Sequence, residues 1–502
     1  METIIALLNI KKALKTKRSD FNFSQKLDDF EQLLVENEHL DDKEACRQLY
    51  GKTNLTPTYK SLKYRLEERL MNEVFINSSL EEDLKSNVQS SLQIEKMTII
   101  SQILSKNFYR KESVKLFEKA YKMSKKYSRP ELAIRQLSNL LQHYSFVEPD
   151  NNKMKQLLIE LDYCTNLYNA EIYVRKCNSI ISNMYVTNKG GFNQQQIAIM
   201  ADLVEKMLDI KDKYKSNYIV SFVSDLTNFY YQTIGDYKKS LELAIIALKE
   251  TSALANTELL GIFQSKRNIA VSHFYLKNYN EAAVWFKDII NMVTVGSRNW
   301  FNATSLYYLS LISQKEYEEL YDLTKTILSN KNLSKFSYFE EQWKLREAYL
   351  HFLIRMQIIE IPKEEKKLLK PFSLSKFMNS VPFHSKDKSG QNITILVIQI
   401  LFLLLDNKYD QIIDRVDSLT QYTYRYLHKD ETFRSNCFIK MLLQMVKADF
   451  HPIRTESYTI DLKKKLYNSH LITDEKSTQV EIIPYDYLWD LILQLLADKH
   501  KK

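Results

Sequence analysis

Residues able to do chemistry are plentiful in this chain, but none are spaced as a familiar reaction requires. A phosphate-binding loop needs glycines that let backbone N–H groups close on the phosphates, followed by lysine and a hydroxyl residue. Gly190 and Gly191 run instead into Phe192, Asn193 and Gln194. A zinc hydrolase needs two histidines one helical turn apart around a glutamate; the nine histidines, among them His143, His273, His351, His384 and His451, form no such pair. The G-x-S-x-G nucleophile turn is absent, and "DNKYDQIIDRVD" lacks the glycine that a calcium loop bends on. Cys46, Cys164, Cys177 and Cys437 lie far apart with no C-x-x-C pair, so they read as buried thiols of a reducing compartment. The 62 acidic residues fall along amphipathic segments, where carboxylates form the solvated face. The chain reads as a non-enzyme with no catalytic residue, metal site or cofactor.

What repeats is a spacing that builds helices. Between Ser224 and Leu328 three segments align on Tyr237, Tyr279 and Tyr317, each after a short polar turn: Gly235-Asp236, Lys277-Asn278 and Lys315-Glu316. Behind each tyrosine follows an i+3, i+7, i+10 stripe: Ser240, Ala244 and Ala247; Ala282, Phe286 and Ile289; Leu320, Thr324 and Ile327. That is one face of a helix, expected to be buried. A second helix precedes each turn, with Asn228 and Tyr231, Ala270 and His273, and Tyr308 and Leu311 at equivalent offsets. Two further segments keep the stripe: "NKYDQIIDRVDSL", with Tyr409, Ile412, Val416 and Leu419, and "RKESVKLFEKAY", with Ser113, Phe117 and Ala120. The interval from Ser113 to Ser240 leaves room for two degenerate units.

Composition agrees with an all-α chain. Only 7 Gly and 8 Pro occur in 502 residues, against about 12% in average usage, which leaves few turns for β-hairpins. The net charge of +9 balances 71 basic against 62 acidic residues, which carries no nucleic-acid footprint by itself. The longest apolar run, Thr394 to Leu405, ends at Asp406; it is shorter than the roughly 20 residues a bilayer span takes and reads as a buried helix. The run Ile4 to Leu8 is preceded by an acid and followed by lysines, the wrong order for a signal peptide. A cytoplasmic location without membrane contact is expected.

The segments "GDYKKSLELAIIAL" and "KNYNEAAVWFKDII" resemble the tetratricopeptide repeat, whose second helix carries an aromatic, a small residue, a bulky one and then alanine. "KEYEELYDLTKTIL" resembles it less closely. The anchors stand 42 and 38 residues apart, against roughly 34 in that family, so helices or connections must be longer. The resemblance implies a right-handed α-solenoid whose first helices line a concave groove suited to a protein or peptide.

Four regions are expected: an amino-terminal helical module, 1–78; a repeat array, 79–360, opened by a Ser79/Glu82 capping box; a linker or long loop, 361–392, rich in proline and lysine; and carboxy-terminal helical repeats, 393–502. In the first region, Gly51 ends one helix and Thr56-Pro57 caps the next, which places basic residues on a helix after a turn. Lys60, Lys63, Arg65 and Arg69 are the candidate contacts if this module reads nucleic acid. Residues 1–80 nevertheless hold thirteen basic and thirteen acidic residues, so no excess draws phosphates. In the last region, Leu488, Leu491, Ile492, Leu495 and Leu496 form an amphipathic stripe expected to seal the array.

The favoured function is a non-catalytic scaffold binding a protein or peptide, with Asn228, Tyr231, Ala270, His273, Tyr308 and Leu311 near the groove. Two alternatives are a transcriptional regulator pairing amino-terminal DNA-binding helices with a repeat sensor, and a helical-repeat protein binding RNA along the groove.

Overall fold

The computed structural model describes residues 1–13, 25–37, 40–52, 54–78, 86–187, 192–254, 259–361, 372–380, 391–426, 433–468 and 481–500. Among these the chain is all-α, with 22 α-helices and no strands. It divides into two compact units, Met1–Asn169 and Ala170–Lys502.

In the first unit, α1 (Glu2–Ala13), α2 (Gln25–Glu36), α3 (Asp42–Tyr50) and α4 (Pro57–Ser78) share one core built on Ile4, Phe30, Cys46, Tyr59, Leu66 and Leu70. Gly51 ends α3 in the left-handed conformation at φ 67°. The Thr56 hydroxyl accepts from the Tyr59 N–H at 3.1 Å as Pro57 opens α4. An ion network ties α1, α2 and α4 together. Lys11 lies 2.6 Å from both Glu31 and Glu73, and Arg69 lies 2.6 Å from Asp28 and 3.1 Å from Glu73. Next come α5 (Ser86–Lys106), α6 (Arg110–Lys126), α7 (Pro130–Gln142), a π-turn over His143–Val147 and α8 (Asn151–Thr187), within which the unit boundary falls.

The second unit takes up the rest of α8 and continues with α9 (Gln194–Lys213), α10 (Asn217–Thr233), α11 (Tyr237–Ala253), α12 (Leu259–Tyr275), α13 (Tyr279–Met292), α14 (Arg298–Gln314), α15 (Tyr317–Leu328) and α16 (Ser337–Arg355). From α9 to α16 each helix packs on the next, and α10 also packs on α12, and α12 on α14. The interval between α6 and α10, expected to hold two degenerate hairpins, holds three helices instead, one of 37 residues. No turn residue interrupts "LLIELDYCTNLYNAEIYVRKC", so the chain runs on there as the single helix α8.

The turns repeat as closely as the helices. Two residues before Tyr237, Tyr279, Tyr317 and Tyr409 stands a left-handed residue: Gly235 (φ 79°), Lys277 (63°), Lys315 (61°) and Asn407 (58°). Just after it, the N–H of Asp236, Asn278, Glu316 or Lys408 reaches back to the carbonyl of Tyr231 (2.9 Å), His273 (2.9 Å), Leu311 (3.0 Å) or Leu403 (3.0 Å). This is the six-to-one bond of a Schellman turn, which satisfies the last carbonyls of one helix while starting the next. The same turn occurs at Phe108, Ser128 and Gln357. It sets Arg110, rather than Tyr109, in the tyrosine's position in the segment carrying Ser113, Phe117 and Ala120.

All the stripe residues behind these turns are buried, from Ser113, Phe117 and Ala120 through the three central triplets to Ile412, Val416 and Leu419. Small residues let the first helices approach. A Cβ on Gly261 of α12 would collide with the Ser221 hydroxyl of α10 and sit 3.2 Å from Thr251 of α11.

Much of the expected connector 361–392, and the Ser79/Glu82 box, lie outside the described residues. Within the former, α17 (Leu374–Ser380) buries Phe377 against the core. Then follow α18 (Gln391–Leu405), α19 (Tyr409–Tyr426), α20 (Phe433–Lys447), α21 (Pro452–Asn468) and α22 (Tyr485–His500). Residues 392–404 of α18 are buried on every face, as its unbroken apolar run requires. Helix α22 buries Leu488, Leu491, Ile492, Leu495 and Leu496 and packs on α18, α20 and α21. It also reaches back to α15, where the Tyr487 and Tyr317 hydroxyls are hydrogen-bonded. Glu481, just before α22, clamps the buried Arg434 at 2.5 Å and accepts from the Tyr485 N–H at 2.6 Å. Among the described residues no helix is long and apolar enough to cross a membrane.

Candidate partner-binding face

The first helices of the central hairpins meet along a polar seam. On α10, Asp225, Asn228 and Gln232 are spaced i, i+3 and i+7, and so share one face. On α12 the facing residues are Gln264, Arg267 and Asn268. Asp225 accepts from all three, from Asn268 at 2.9 Å, Gln264 at 3.1 Å and Arg267 at 3.3 Å. Deeper in, Gln232 donates to Ser240 at 3.2 Å and to Asn268 at 3.5 Å, and Ser240 donates to Asn228 at 3.0 Å and lies 2.9 Å from the Ser272 hydroxyl. Side-chain exposure is 19% at Asp225 and 29% at Arg267. The outer rim of the seam is therefore wet, while its floor is sealed and hydrogen-bonded, as buried polar groups must be.

The six residues expected near a groove divide by depth. Asn228, Ala270, Tyr308 and Leu311 are buried. Asn228 spends its amide on the Ser224 carbonyl at 2.9 Å and its oxygen on Ser240, while Ala270, Tyr308 and Leu311 belong to the hydrophobic core. These four hold helices together, because the inward positions of a hairpin meet the neighbouring hairpin before they meet anything else. Tyr231 and His273 are half-buried. His273 Nδ1 lies 3.5 Å from the Asn278 amide, and burial pushes its pKa below the ordinary histidine value, which keeps the ring neutral near pH 7. Both stand near the carboxy-terminal ends of their helices, Tyr231 on α10 and His273 on α12.

Asp225, Gln264, Arg267 and Asn268 escaped the sequence reading, which tracked apolar spacing. The signal open to it was the run of polar residues at helical spacing in segments that are otherwise apolar.

The four basic residues of α4 also divide. Lys63 lies 2.8 Å from Asp42, and Arg69 is buried among Asp28, Glu31 and Glu73. Only Lys60 and Arg65 point into solvent. Two cations one turn and a half apart make a small electrostatic footprint. Among the described residues no group of three histidine, cysteine or carboxylate side chains is placed to hold a metal ion. No protein-family model matches the chain, and no curated protein matches it either.

Proposed function

We propose that this chain is a non-catalytic scaffold whose tetratricopeptide-like hairpins stack as a right-handed solenoid and bind a protein or peptide segment across the first helices of the second unit. The observation that carries the reading is the wet rim of the α10–α12 seam. There an aspartate, an arginine and a glutamine stand partly exposed over a hydrogen-bonded floor, and Tyr231 and His273 stand half-buried towards the carboxy-terminal ends of the same two helices. The partly exposed guanidinium of Arg267 supplies donors and the carboxylate of Asp225 an acceptor, which suits the donors and acceptors of an extended backbone. Tyr231 adds an aromatic surface of the kind that anchors interfaces. Two features disfavour nucleic-acid binding through the amino-terminal module: the balanced charge of residues 1–80 and the use of Lys63 and Arg69 in internal ion pairs.

A photo-crosslinking residue placed at Tyr231 or His273, with a control at the exposed Lys249 of α11, tests this in the cells that make the protein. A discrete polypeptide adduct is expected from 231 and 273 and not from 249. Adducts from 249 alone would contradict the reading.

A further inference from the structure

Between α14 and α16 the protein buries a cation that has no counter-ion among the described residues. Arg346 is 4% exposed, and its guanidinium carbon lies 5.1 Å from the Trp343 ring centre and 5.4 Å from that of Tyr308. Its Nε and Nη1 atoms are sealed from solvent and have no hydrogen-bond partner. The same is true of both amide atoms of Gln342, of the Trp343 indole N–H and of the Tyr308 hydroxyl, on residues that are 2%, 0% and 0% exposed. The two rings stand edge to face, 5.7 Å apart, and Gln342 and Arg346 share a helix face by their i, i+4 spacing. The charged or titratable groups that bear on Arg346 are the hydroxyls of Tyr308 and Tyr338.

An unpaired buried charge is among the most costly arrangements a fold can hold, and each orphaned neutral donor adds to that cost. Four side chains with that defect lie close together where α14 meets α16, and each carries a donor without an acceptor. We propose that Arg346, with Gln342, Trp343 and Tyr308, binds the carboxylate group of a ligand. Charge matching selects the class. One guanidinium neutralises one carboxylate, whereas a phosphate would leave excess negative charge in a dry site. Guanidinium geometry also suits a planar carboxylate, with indole and amide N–H groups left for its remaining lone pairs. Tyr338, exposed at the first turn of α16, begins the i, i+4, i+8 stripe that leads inward through Gln342 to Arg346, and so marks the approach. The site is separate from the α10–α12 seam and stands whether or not that seam binds a partner.

The test uses the whole chain and the indole N–H signals of its four tryptophans, with the Trp343 signal identified through Trp343→Phe. Acetate titrated at constant ionic strength against chloride is expected to move the Trp343 signal saturably and to raise Tm, since a ligand of the folded state stabilises it. Arg346→Met is expected to weaken that response about tenfold or more. Without acetate, its Tm is expected to equal or exceed that of the native chain, because an unpaired buried charge has been removed. Gln342→Leu gives a second reading should Arg346→Met fail to fold, with acetate affinity reduced several-fold. Tetra-alanine with a free carboxyl terminus is compared with its amide. A stronger response to the free acid than to acetate assigns the site to a polypeptide end, and a response to acetate alone assigns it to a small acid. A Trp343 signal that acetate leaves in place, that chloride moves equally, that inorganic phosphate saturates more tightly than acetate, or that responds unchanged in either variant would overturn the assignment.

Discussion

Replacing Asp225 by alanine strands three donors at once, because Gln264, Arg267 and Asn268 all converge on its carboxylate. Removing one partner of a partly buried hydrogen-bonded group costs about 1–3 kcal/mol, so Asp225→Ala is expected to lower the unfolding free energy by that much, read as a lower urea midpoint, and Asp225→Asn by less. An unchanged midpoint would mean that the seam does not hold α10 to α12. Glu73 gives a pH-dependent case. Burial alone would raise its pKa, but the hydrogen bonds and charges of Lys11 and Arg69 outweigh burial and hold it below the ordinary glutamate value. A carboxylate with a depressed folded pKa contributes stability that is complete above its unfolded pKa, about 4.3, and that is lost as pH falls through the lower folded value. Glu73→Gln is therefore expected to cost about 3 kcal/mol near neutrality, with the gap to the native chain closing in acid, as read from denaturant midpoints across pH. The partners of these two carboxylates were not legible in the sequence. Asp225 and Glu73 look like any exposed helical acids until the fold brings donors to them from other helices.

The elements were far more legible, for a reason the turns make plain. A helix face needs only local spacing to declare itself, and each buried stripe behind Tyr237, Tyr279, Tyr317 and Tyr409 follows from residues within ten positions of its anchor. The left-handed residues were only half legible. Gly235 announces a Schellman turn, but Lys277, Lys315 and Asn407 adopt the same backbone without glycine's freedom. Holding a side chain there costs about 1 kcal/mol. Lys277→Gly and Lys315→Gly are each expected to raise stability by up to that amount. Gly235→Ala is expected to lower it similarly, although its Cβ would meet no atom within 4 Å, because the penalty is conformational. Thermal unfolding of the three variants tests this, and equal signs for all three would contradict it. Between α6 and α10 the sequence reading failed: it assumed that units keep their period, whereas a 37-residue helix without a breaker simply continues.

At the scale of the whole chain, all-α architecture could be read from composition, because so little glycine and proline cannot turn many strands. The depth of the groove positions could not. Whether Asn228 or Tyr231 faces outward depends on how closely the next hairpin packs, and small residues such as Gly261 let it pack closely enough to cover one and leave the other. Other apolar side chains are exposed outside the seam. The first unit exposes Ile99, Ile100 and Ile103 on α5, Phe108 and Tyr109 in the turn after it, and Phe146 beyond α7. Oxidative footprinting of the full chain, alone and bound to whichever polypeptide it captures, discriminates among them because tyrosine, histidine and phenylalanine all label. Loss of labelling at Tyr231 and His273 on binding, with Phe108, Tyr109 and Phe146 unchanged, is the expected result. Protection of those three with Tyr231 and His273 still labelled would place the partner elsewhere and end the claim that the first-helix seam is where this protein does its work.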